Sequence, residues 1–160
     1  MTNDSDRSWL NIIRIGSTMT TEAWDMKYKS NLGWNHAWGA SPSYIIANKL
    51  MGIEPMEPAF RKIQIKPRPG KLKWAKIKMP TIRGSVHARF ENHPDKFLLD
   101  LQIPANTIAK VALQNKRYKK FTITLNGKKV DAIEEGDFLV INPVKSGKTI
   151  IKYTKNKKQK

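Results

Sequence analysis

The sequence predicts a mainly β protein: an antiparallel β-sandwich preceded by two helices. Three observations support this fold class. From about residue 60 the apolar residues recur with a period of two, as in half-buried strands. The pair Asn126-Gly127 follows one such run and is a strong hairpin signal. Before residue 55 the apolar spacing is instead three and four residues, which is typical of helices.

The two helices are predicted from their faces and ends. In the first, Trp9, Ile12 and Ile13 share one helical face, and Gly16 ends the segment. The second spans 42–51, with Ser41 as its cap, Pro42 at the first helical position and Gly52 after its last turn. This second helix is apolar around much of its circumference, so it requires burial on more than one side.

Seven to nine short strands are predicted after residue 60. Their alternate polar positions are mostly lysines, which suit the solvated face of a sheet and discourage pairing at its edges. A stiff turn, Lys66-Pro-Arg-Pro-Gly70, separates two of them. The runs with alternating or continuous apolar character lie at residues 63–65, 74–79, 86–90, 97–103, 121–125, 138–141 and 149–153.

The charge divides the chain into two unlike parts. The 160 residues hold 30 Lys+Arg and 13 Asp+Glu, a net charge of +17. Residues 1–60 carry five basic against six acidic residues, net −1, and residues 61–160 carry 25 against 7, net +18. Such a basic part first suggests nucleic acid or another polyanion as a partner. The lysines are spread over every strand, however, so a solvated sheet face is the simpler interpretation, also for the basic run at 116–120.

Several chemistries are excluded by composition. The chain has no cysteine, hence no disulfide, thiol nucleophile or thiolate metal site. Its three histidines lack zinc-ligand spacing, so we expect no metal and no cofactor. No nucleophile elbow is present, and the Gly-Lys-Thr at 147–149 lacks the first glycine of a phosphate loop. No apolar run approaches the roughly 18 residues of a membrane span. The first residues have no signal-peptide pattern, which leaves the localisation open.

Residues 20–39 are the candidate functional segment. They combine Glu22 and Asp25 with three tryptophans and His36. Tryptophan faces stack on sugar rings, and carboxylates perform acid–base chemistry on glycosidic bonds. The alternative is that the tryptophans are core residues, Glu22 is a paired acid and His36 is a satisfied core histidine.

Four stretches resemble bacterial α-L-rhamnosidases of glycoside hydrolase family 78, at the C-terminal end of those enzymes. The resemblance is specific over residues 16–70, continues through 72–84 and is loose after about 110. The stretches are Gly16-Ser-Thr-Met-Thr-Thr-Glu-Ala-Trp-Asp25, Asn35-His-Ala-Trp-Gly-Ala40, Met51-Gly-Ile-Glu-Pro55 and Phe60-Arg-Lys-Ile-Gln-Ile-Lys-Pro-Arg-Pro-Gly70.

The resemblance implies an architecture and a reaction. The family has a catalytic (α/α)6 barrel followed by a β-sandwich, so residues 1–58 are expected to be a remnant of the barrel, 59–154 the sandwich and 155–160 a basic tail. The reaction is the inverting hydrolysis of terminal α-L-rhamnosides. By position in the family motifs, Glu22 is the catalytic general base and His36 a sugar ligand, with Trp24 and Asn35 supporting or lining the sugar site. Thr21 stands where many relatives have a tryptophan.

The family's general acid and most of its sugar-binding residues lie upstream of the part that this chain resembles. We therefore expect a fragment that is inactive alone, whose partners are the upstream barrel and, through it, a rhamnose-containing carbohydrate. No specific nucleic acid and no membrane is expected as a partner. The alternative is a non-catalytic sandwich that binds carbohydrate or packs on another domain, in which Trp74 matters more than Glu22.

Overall fold

The computed structural model describes residues 3–116 and 120–156. The chain divides into two compact units, a first unit of Met1–Ile46 and a second unit of Ala47–Lys160. Ile53–Pro55, which lie within the predicted range 1–58, form a strand of the second unit. Lys155, the first residue of the predicted tail 155–160, is the last residue of a strand. Its remainder at 157–160 lies outside the described residues, as does the centre of the basic run, 117–119.

The first unit is largely irregular and contains short helical turns. Helix α1, Trp9–Arg14, begins at Ser8, whose side chain accepts the N–H of Asn11. Ile12 is buried, as its place on the predicted face requires, but Ile13 is 70% exposed. Two 3₁₀ turns follow, at Met26–Tyr28 and Ala37–Ala40.

The second predicted helix is present, with different ends. Helix α2 covers Ser41–Tyr44 and continues as the π-helical turn Ile45–Leu50. The role expected for Ser41 was wrong: it is the first helical residue, and the residue before it is Ala40, which offers no side-chain cap. Gly52 follows with φ of +68°, and a Cβ there would lie 2.0 Å from the carbonyl oxygen of Lys66. Only glycine fits this position.

The second unit is a β-sandwich, which confirms the predicted fold class. One sheet has five strands in the order β1-β2-β6-β10-β9, and the other has six in the order β3-β4-β5-β11-β7-β8. In the described part of the chain the strands are β1 Ile53–Pro55, β2 Lys62–Ile65, β3 Trp74–Met79, β4 Val86–Asn92, β5 Lys96–Ile103, β6 Ile108–Gln114, β7 Phe121–Leu125, β8 Lys128–Lys129, β9 Ile133–Glu135, β10 Phe138–Val144 and β11 Gly147–Lys155.

One strand pair departs from the antiparallel expectation. Strands β2 and β6 run parallel, with Ile63 opposite Ala109. Between them the chain passes through β3, β4 and β5 in the other sheet. A parallel pair needs such a long crossover connection, whereas a hairpin can join only antiparallel strands.

The period-two pattern places the core as predicted. Alternate residues of β5 are buried, and the large side chains of Phe90 and Tyr153 are fully enclosed between the sheets. Strand β6 was missed because Val111, Ala112 and Leu113 are buried in succession, which interrupts the alternation of its first half. The best enclosed side chains are Tyr153, Phe90, Met51, Ile53, Ile63, Ile65, Leu99, Leu101, Ile103, Leu113, Leu139 and Ile151.

The predicted hairpin joins β7 to β8. Asn126 and Gly127 have φ of +48° and +82°, so both occupy the left-handed region that a tight type I′ turn requires. The side chain of Asn126 also accepts the N–H of Ile150 at 2.8 Å, which ties the turn to β11. The sequence signal and the structure agree here because the turn chemistry is local.

Candidate functional site

Two segments of the first unit, residues 20–22 and residues 33–36, lie side by side and form the candidate site. The N–H of Glu22 donates to the carbonyl of Gly33 at 2.8 Å. The N–H of His36 donates to the carbonyl of Thr20 at 2.8 Å, and the hydroxyl of Thr20 donates back to the carbonyl of His36 at 2.8 Å. The structure thus brings Glu22 and His36 together, although fourteen positions of sequence separate them.

The Glu22 carboxylate is held by three groups. Its Oε1 accepts a hydrogen bond from Lys29 Nζ, and its Oε2 accepts the N–H of Gly33 at 3.2 Å. His36 Nε2 lies 4.0 Å from Oε1. The side chain keeps 28% of its surface exposed, so solvent reaches the carboxylate. A carboxylate oxygen accepts more than one hydrogen bond, which leaves room for a water or a sugar hydroxyl.

These neighbours set the protonation state of Glu22. The hydrogen bond from Lys29 and then that from the Gly33 N–H lower the pKa of Glu22, and partial burial opposes them only in part. A carboxylate whose charged form is stabilised in this way stays ionised at neutral pH. It is therefore in the state that can accept a proton.

Lys29 was not among the predicted site residues. It lies in the candidate segment 20–39, but between the stretches Gly16–Asp25 and Asn35–Ala40 on which the resemblance was based. The sequence also did not indicate which acid each lysine contacts. Lys29 pairs with Glu22, whereas Lys27, two residues earlier, pairs with Asp6. Lys27 lies within the Met26–Tyr28 turn and Lys29 is the extended residue that follows it, so the two lysines reach different acids. Residue spacing alone could not show this.

Three indole rings form a connected group beside the carboxylate segment. Trp24 contacts Trp9 edge-on with ring centroids 4.9 Å apart, and contacts Trp38 edge-on at 5.9 Å. Trp9 Nε1 donates to the carbonyl of Gly39 at 2.9 Å, and Asn11 Nδ2 donates to the carbonyl of Trp24 at 3.0 Å. Trp24 is thus the central, half-buried ring of the group.

Other predicted residues are more open. Trp38 is 45% exposed and lies 6.3 Å from the ring of His36. The side chain of His36 is also 45% exposed. Asn35 is exposed, and within residues 3–116 and 120–156 its side chain has no hydrogen-bond partner. The exposed groups can reach a ligand, and Trp24 packs against one of them, the ring of Trp38.

Two glycines and one buried threonine determine the close approach of the two segments. A Cβ on Gly33 would lie 3.3 Å from Glu22 Oε2, and a Cβ on Gly39 would lie 2.7 Å from the Cβ of Thr20. Thr21 is fully buried and its hydroxyl donates to the carbonyl of Ala23 at 2.6 Å. Position 21 therefore points inward and leaves Glu22 on the accessible side.

The remaining histidines lie elsewhere. His87 is on the outer face of β4, and His93 Nε2 lies 3.5 Å from Glu91 in a turn. No group of three His, Asp or Glu side chains with the arrangement of metal ligands occurs in the described part of the chain. Helices long and apolar enough for a bilayer are likewise not found among these residues.

The fold and the site define a β-sandwich domain preceded by a helical segment that carries an ionised carboxylate beside indole rings. Residues 52–128 match the family described as bacterial alpha-L-rhamnosidase C-terminal domain. A curated α-L-rhamnosidase of Streptomyces avermitilis is 31% identical over 113 residues, which are 65% of this chain and 11% of that protein.

Solved structures of rhamnosidases are similar over nearly the whole chain. The enzyme from Dictyoglumus thermophilum matches 97% of this chain with a TM-score of 0.83 and 24% identity. The Streptomyces avermitilis enzyme in complex with L-rhamnose matches 94% with a TM-score of 0.74 and 26% identity. The Aspergillus terreus enzyme matches 94% with a TM-score of 0.67 and 24% identity.

The resemblance seen in the sequence is therefore confirmed. Residues 52–128 match the model of the bacterial α-L-rhamnosidase C-terminal domain, and the chain is similar to the C-terminal part of α-L-rhamnosidases. It spans only 11% of the curated relative and 15–18% of two of the solved chains.

Proposed function

We propose that this chain is the C-terminal portion of an inverting α-L-rhamnosidase and that Glu22 is its general base. The observation that carries the proposal is the ionised Glu22 carboxylate, which Lys29 and Gly33 hold 4.0 Å from His36. Hydrolysis with inversion needs one carboxylate that takes a proton from the attacking water and an opposing acid that protonates the leaving oxygen. Glu22 has the protonation state of the first.

The neighbours of Glu22 suit this role. Each of its oxygens accepts one protein hydrogen bond and retains a lone pair for water. His36, 4.0 Å from Glu22, and Asn35, its chain neighbour, are exposed polar residues that a sugar could contact. The exposed ring of Trp38 offers a stacking surface, and Trp24 supports that ring from behind.

The opposing acid is proposed to belong to an upstream barrel. The other three acidic side chains of the first unit are engaged elsewhere: Asp4 with Arg14, Asp6 with Lys27 and Tyr28, and Asp25 with the N–H of Lys27. With one carboxylate of the pair, the chain alone is expected not to hydrolyse rhamnosides. We propose residues 1–58 as a remnant of that barrel and residues 59–154 as the sandwich domain, with Ile53–Pro55 as a strand that the remnant contributes to the sandwich.

Exposed apolar surface in the first unit supports the presence of a covering partner. Single exposed apolar residues are ordinary, but many in one small unit indicate an interaction surface. The upstream barrel is the proposed partner, since the similar solved chains are about five to six times longer than this one. The exposed residues are Ile13, Met19, Met26, Tyr28, Trp34, Trp38, Tyr44 and Ile45.

The non-catalytic alternative is not favoured. The solved rhamnosidases match 94–97% of this chain, and such a match extends through the Glu22 segment as well as the sandwich. A stand-alone sandwich would have no need of that segment.

A hybrid enzyme tests the proposed function. The chain replaces the corresponding C-terminal part of the Dictyoglumus thermophilum enzyme, and kcat on an aryl α-L-rhamnoside is measured. We expect activity in the hybrid, none in the chain alone, and a loss of about 10²–10⁴-fold in the hybrid with Glu22→Gln. The matched control is Asp25→Asn, which changes a neighbouring carboxylate and is expected to retain activity. Equal kcat values for Glu22→Gln and the parent hybrid would overturn the assignment.

A further inference from the structure

The outer face of the six-stranded sheet carries a groove that the proposed catalytic role does not use. It has a volume of about 620 Å³ and crosses β3, β4, β5 and β11. All of its residues belong to the second unit. The residues that line it with outward side chains are Lys76, Lys78, His87, Arg89, Asp100, Gln102 and Lys148.

The strand register arranges these side chains in two rows. Lys78 is opposite His87, His87 is opposite Gln102, and Gln102 is opposite Lys148. The second row contains Lys76, Arg89 and Asp100. Neighbouring strands are about 4.8 Å apart, so the first row extends over about 14 Å. The hydrogen bonds between the strands fix the backbone positions of both rows.

The groove has more cations than counter-ions. Arg89 pairs with Glu91 at 2.8 Å. Within the described ranges, the side chains of Lys76, Lys78 and Lys148 form no ion pair, and those of Asp100 and Gln102 accept no hydrogen bond from the protein. Three cations and two acceptors on a rigid surface are thus available to a ligand.

These groups match an acidic sugar better than a nucleic acid. The Asp100 carboxylate repels a phosphodiester and a sugar carboxylate alike, but a phosphodiester backbone has no hydrogen-bond donor that could offset this repulsion. A sugar hydroxyl donates to Asp100 or Gln102, and a sugar carboxylate pairs with the lysines. Trp74 lies on the same face of β3 as Lys76 and is 59% exposed, which adds an apolar ring surface at one end.

We propose that this groove binds a short acidic oligosaccharide, with sugar carboxylates at Lys76, Lys78 and Lys148 and hydroxyl groups at Asp100 and Gln102. Binding there requires neither Glu22 nor an upstream domain. The groove gives the chain a second carbohydrate site, which goes beyond the proposed hydrolytic role.

Calorimetric titration of the full chain with the trimer of galacturonic acid tests the charge requirement. The control ligand is the same trimer with methyl-esterified carboxyl groups. We expect saturable binding of the acid that weakens at least about fivefold on esterification, because the charged contacts are lost. Equal affinity for acid and ester, or no saturable binding of the acid, overturns the proposal.

A pair of double variants localises the site. Lys76→Gln with Lys148→Gln removes two groove cations, and Lys71→Gln with Lys128→Gln removes two exposed cations outside it. Both variants change the net charge equally. We expect about tenfold weaker trimer binding in the first and less than twofold change in the second. Equal losses in the two variants would assign the binding to net charge and contradict the proposed groove.

Asp100→Ala separates a sugar from a nucleic acid ligand. Both anionic ligands lose the repulsion of the Asp100 charge in this variant, but only the galacturonate trimer also loses a hydroxyl acceptor. The ratio of trimer affinity to oligothymidylate affinity is therefore expected to fall. An unchanged or increased affinity ratio in Asp100→Ala, or oligothymidylate binding by the parent chain that is saturable and tighter than trimer binding, overturns the proposal in favour of a nucleic acid surface. Glu22→Gln is expected to leave trimer binding unchanged, so this proposal and the hydrolytic one fail separately.

Discussion

Glu22 and Gly33 exchange two hydrogen bonds: the Glu22 N–H donates to the Gly33 carbonyl at 2.8 Å, and the Gly33 N–H donates to Glu22 Oε2 at 3.2 Å. These two bonds hold both the backbone and the carboxylate of Glu22 against the same residue, Gly33. Lys29 then binds the other oxygen. The carboxylate is therefore held in one direction without being removed from solvent.

Lys29→Met is expected to raise the pKa of Glu22 toward its ordinary value. The hydrogen bond from Lys29 is the largest cause of the lowered pKa, and the Gly33 N–H remains in the variant. A carboxyl ¹³C NMR titration of the chain measures the change. The matched control is Lys27→Met, because Lys27 pairs with Asp6 and not with Glu22. An unchanged Glu22 pKa in Lys29→Met would show that Lys29 does not hold the carboxylate.

The lowered pKa of Glu22 also has a consequence for stability. The ionised form is favoured in the folded state, so its contribution is present above the pKa of an unfolded glutamate, about 4.3. It is lost as the pH falls below that value and through the lower folded-state pKa. Glu22→Gln is therefore expected to lose less stability than the parent chain between neutral pH and pH of about 3. Urea unfolding, monitored by tryptophan fluorescence, measures the free energy of unfolding of both chains at each pH. Parallel profiles of this free energy against pH would contradict the expectation.

Gly39→Ala is expected to disturb the candidate site much more than Gly33→Ala. The added methyl would lie 2.7 Å from the Cβ of Thr20, which is part of a fixed segment. Overpacking of this kind costs about 1–3 kcal/mol. At Gly33 the nearest atom is the movable end of Glu22, at 3.3 Å, so a small shift suffices. Thermal unfolding monitored by tryptophan fluorescence compares the two; equal destabilisation would contradict the close packing at Gly39.

Leu99→Ala is expected to destabilise the sandwich by about 2–5 kcal/mol, because Leu99 is fully buried between the sheets. Leu98→Ala, one residue earlier on β5, changes a half-buried side chain on the outer face and is expected to cost under about 1 kcal/mol. Urea unfolding of the chain measures both free energies. Similar costs at the two positions would mean that the register of β5 is wrong.

Features with local causes could be predicted from the sequence. The strands with strict alternation and the Asn126-Gly127 turn were found because each depends on neighbouring residues only. Strand β6 was missed because a central strand is buried on both faces and loses its alternation. The parallel pairing of β2 with β6 was missed because it depends on the path through the other sheet.

The candidate site was predicted in part. Glu22, His36, Trp24 and Asn35 were chosen by resemblance, and the structure brings Glu22 and His36 within 4.0 Å. Lys29, which most affects the Glu22 pKa, was not predicted, since its contact depends on the chain direction after a short turn. The catalytic roles of these residues stay predictions.

The central claim is that Glu22 activates the attacking water. The most direct measurement is azide rescue of Glu22→Ala in the hybrid enzyme with an aryl α-L-rhamnoside. Azide needs no general base, so it can replace the activated water and attack the anomeric carbon from the same side. The proposal predicts that azide restores release of the aryl alcohol and that the product is the β-L-rhamnosyl azide, formed by one inversion. Undiminished hydrolysis by Glu22→Ala without azide, or formation of the α-azide, would contradict it.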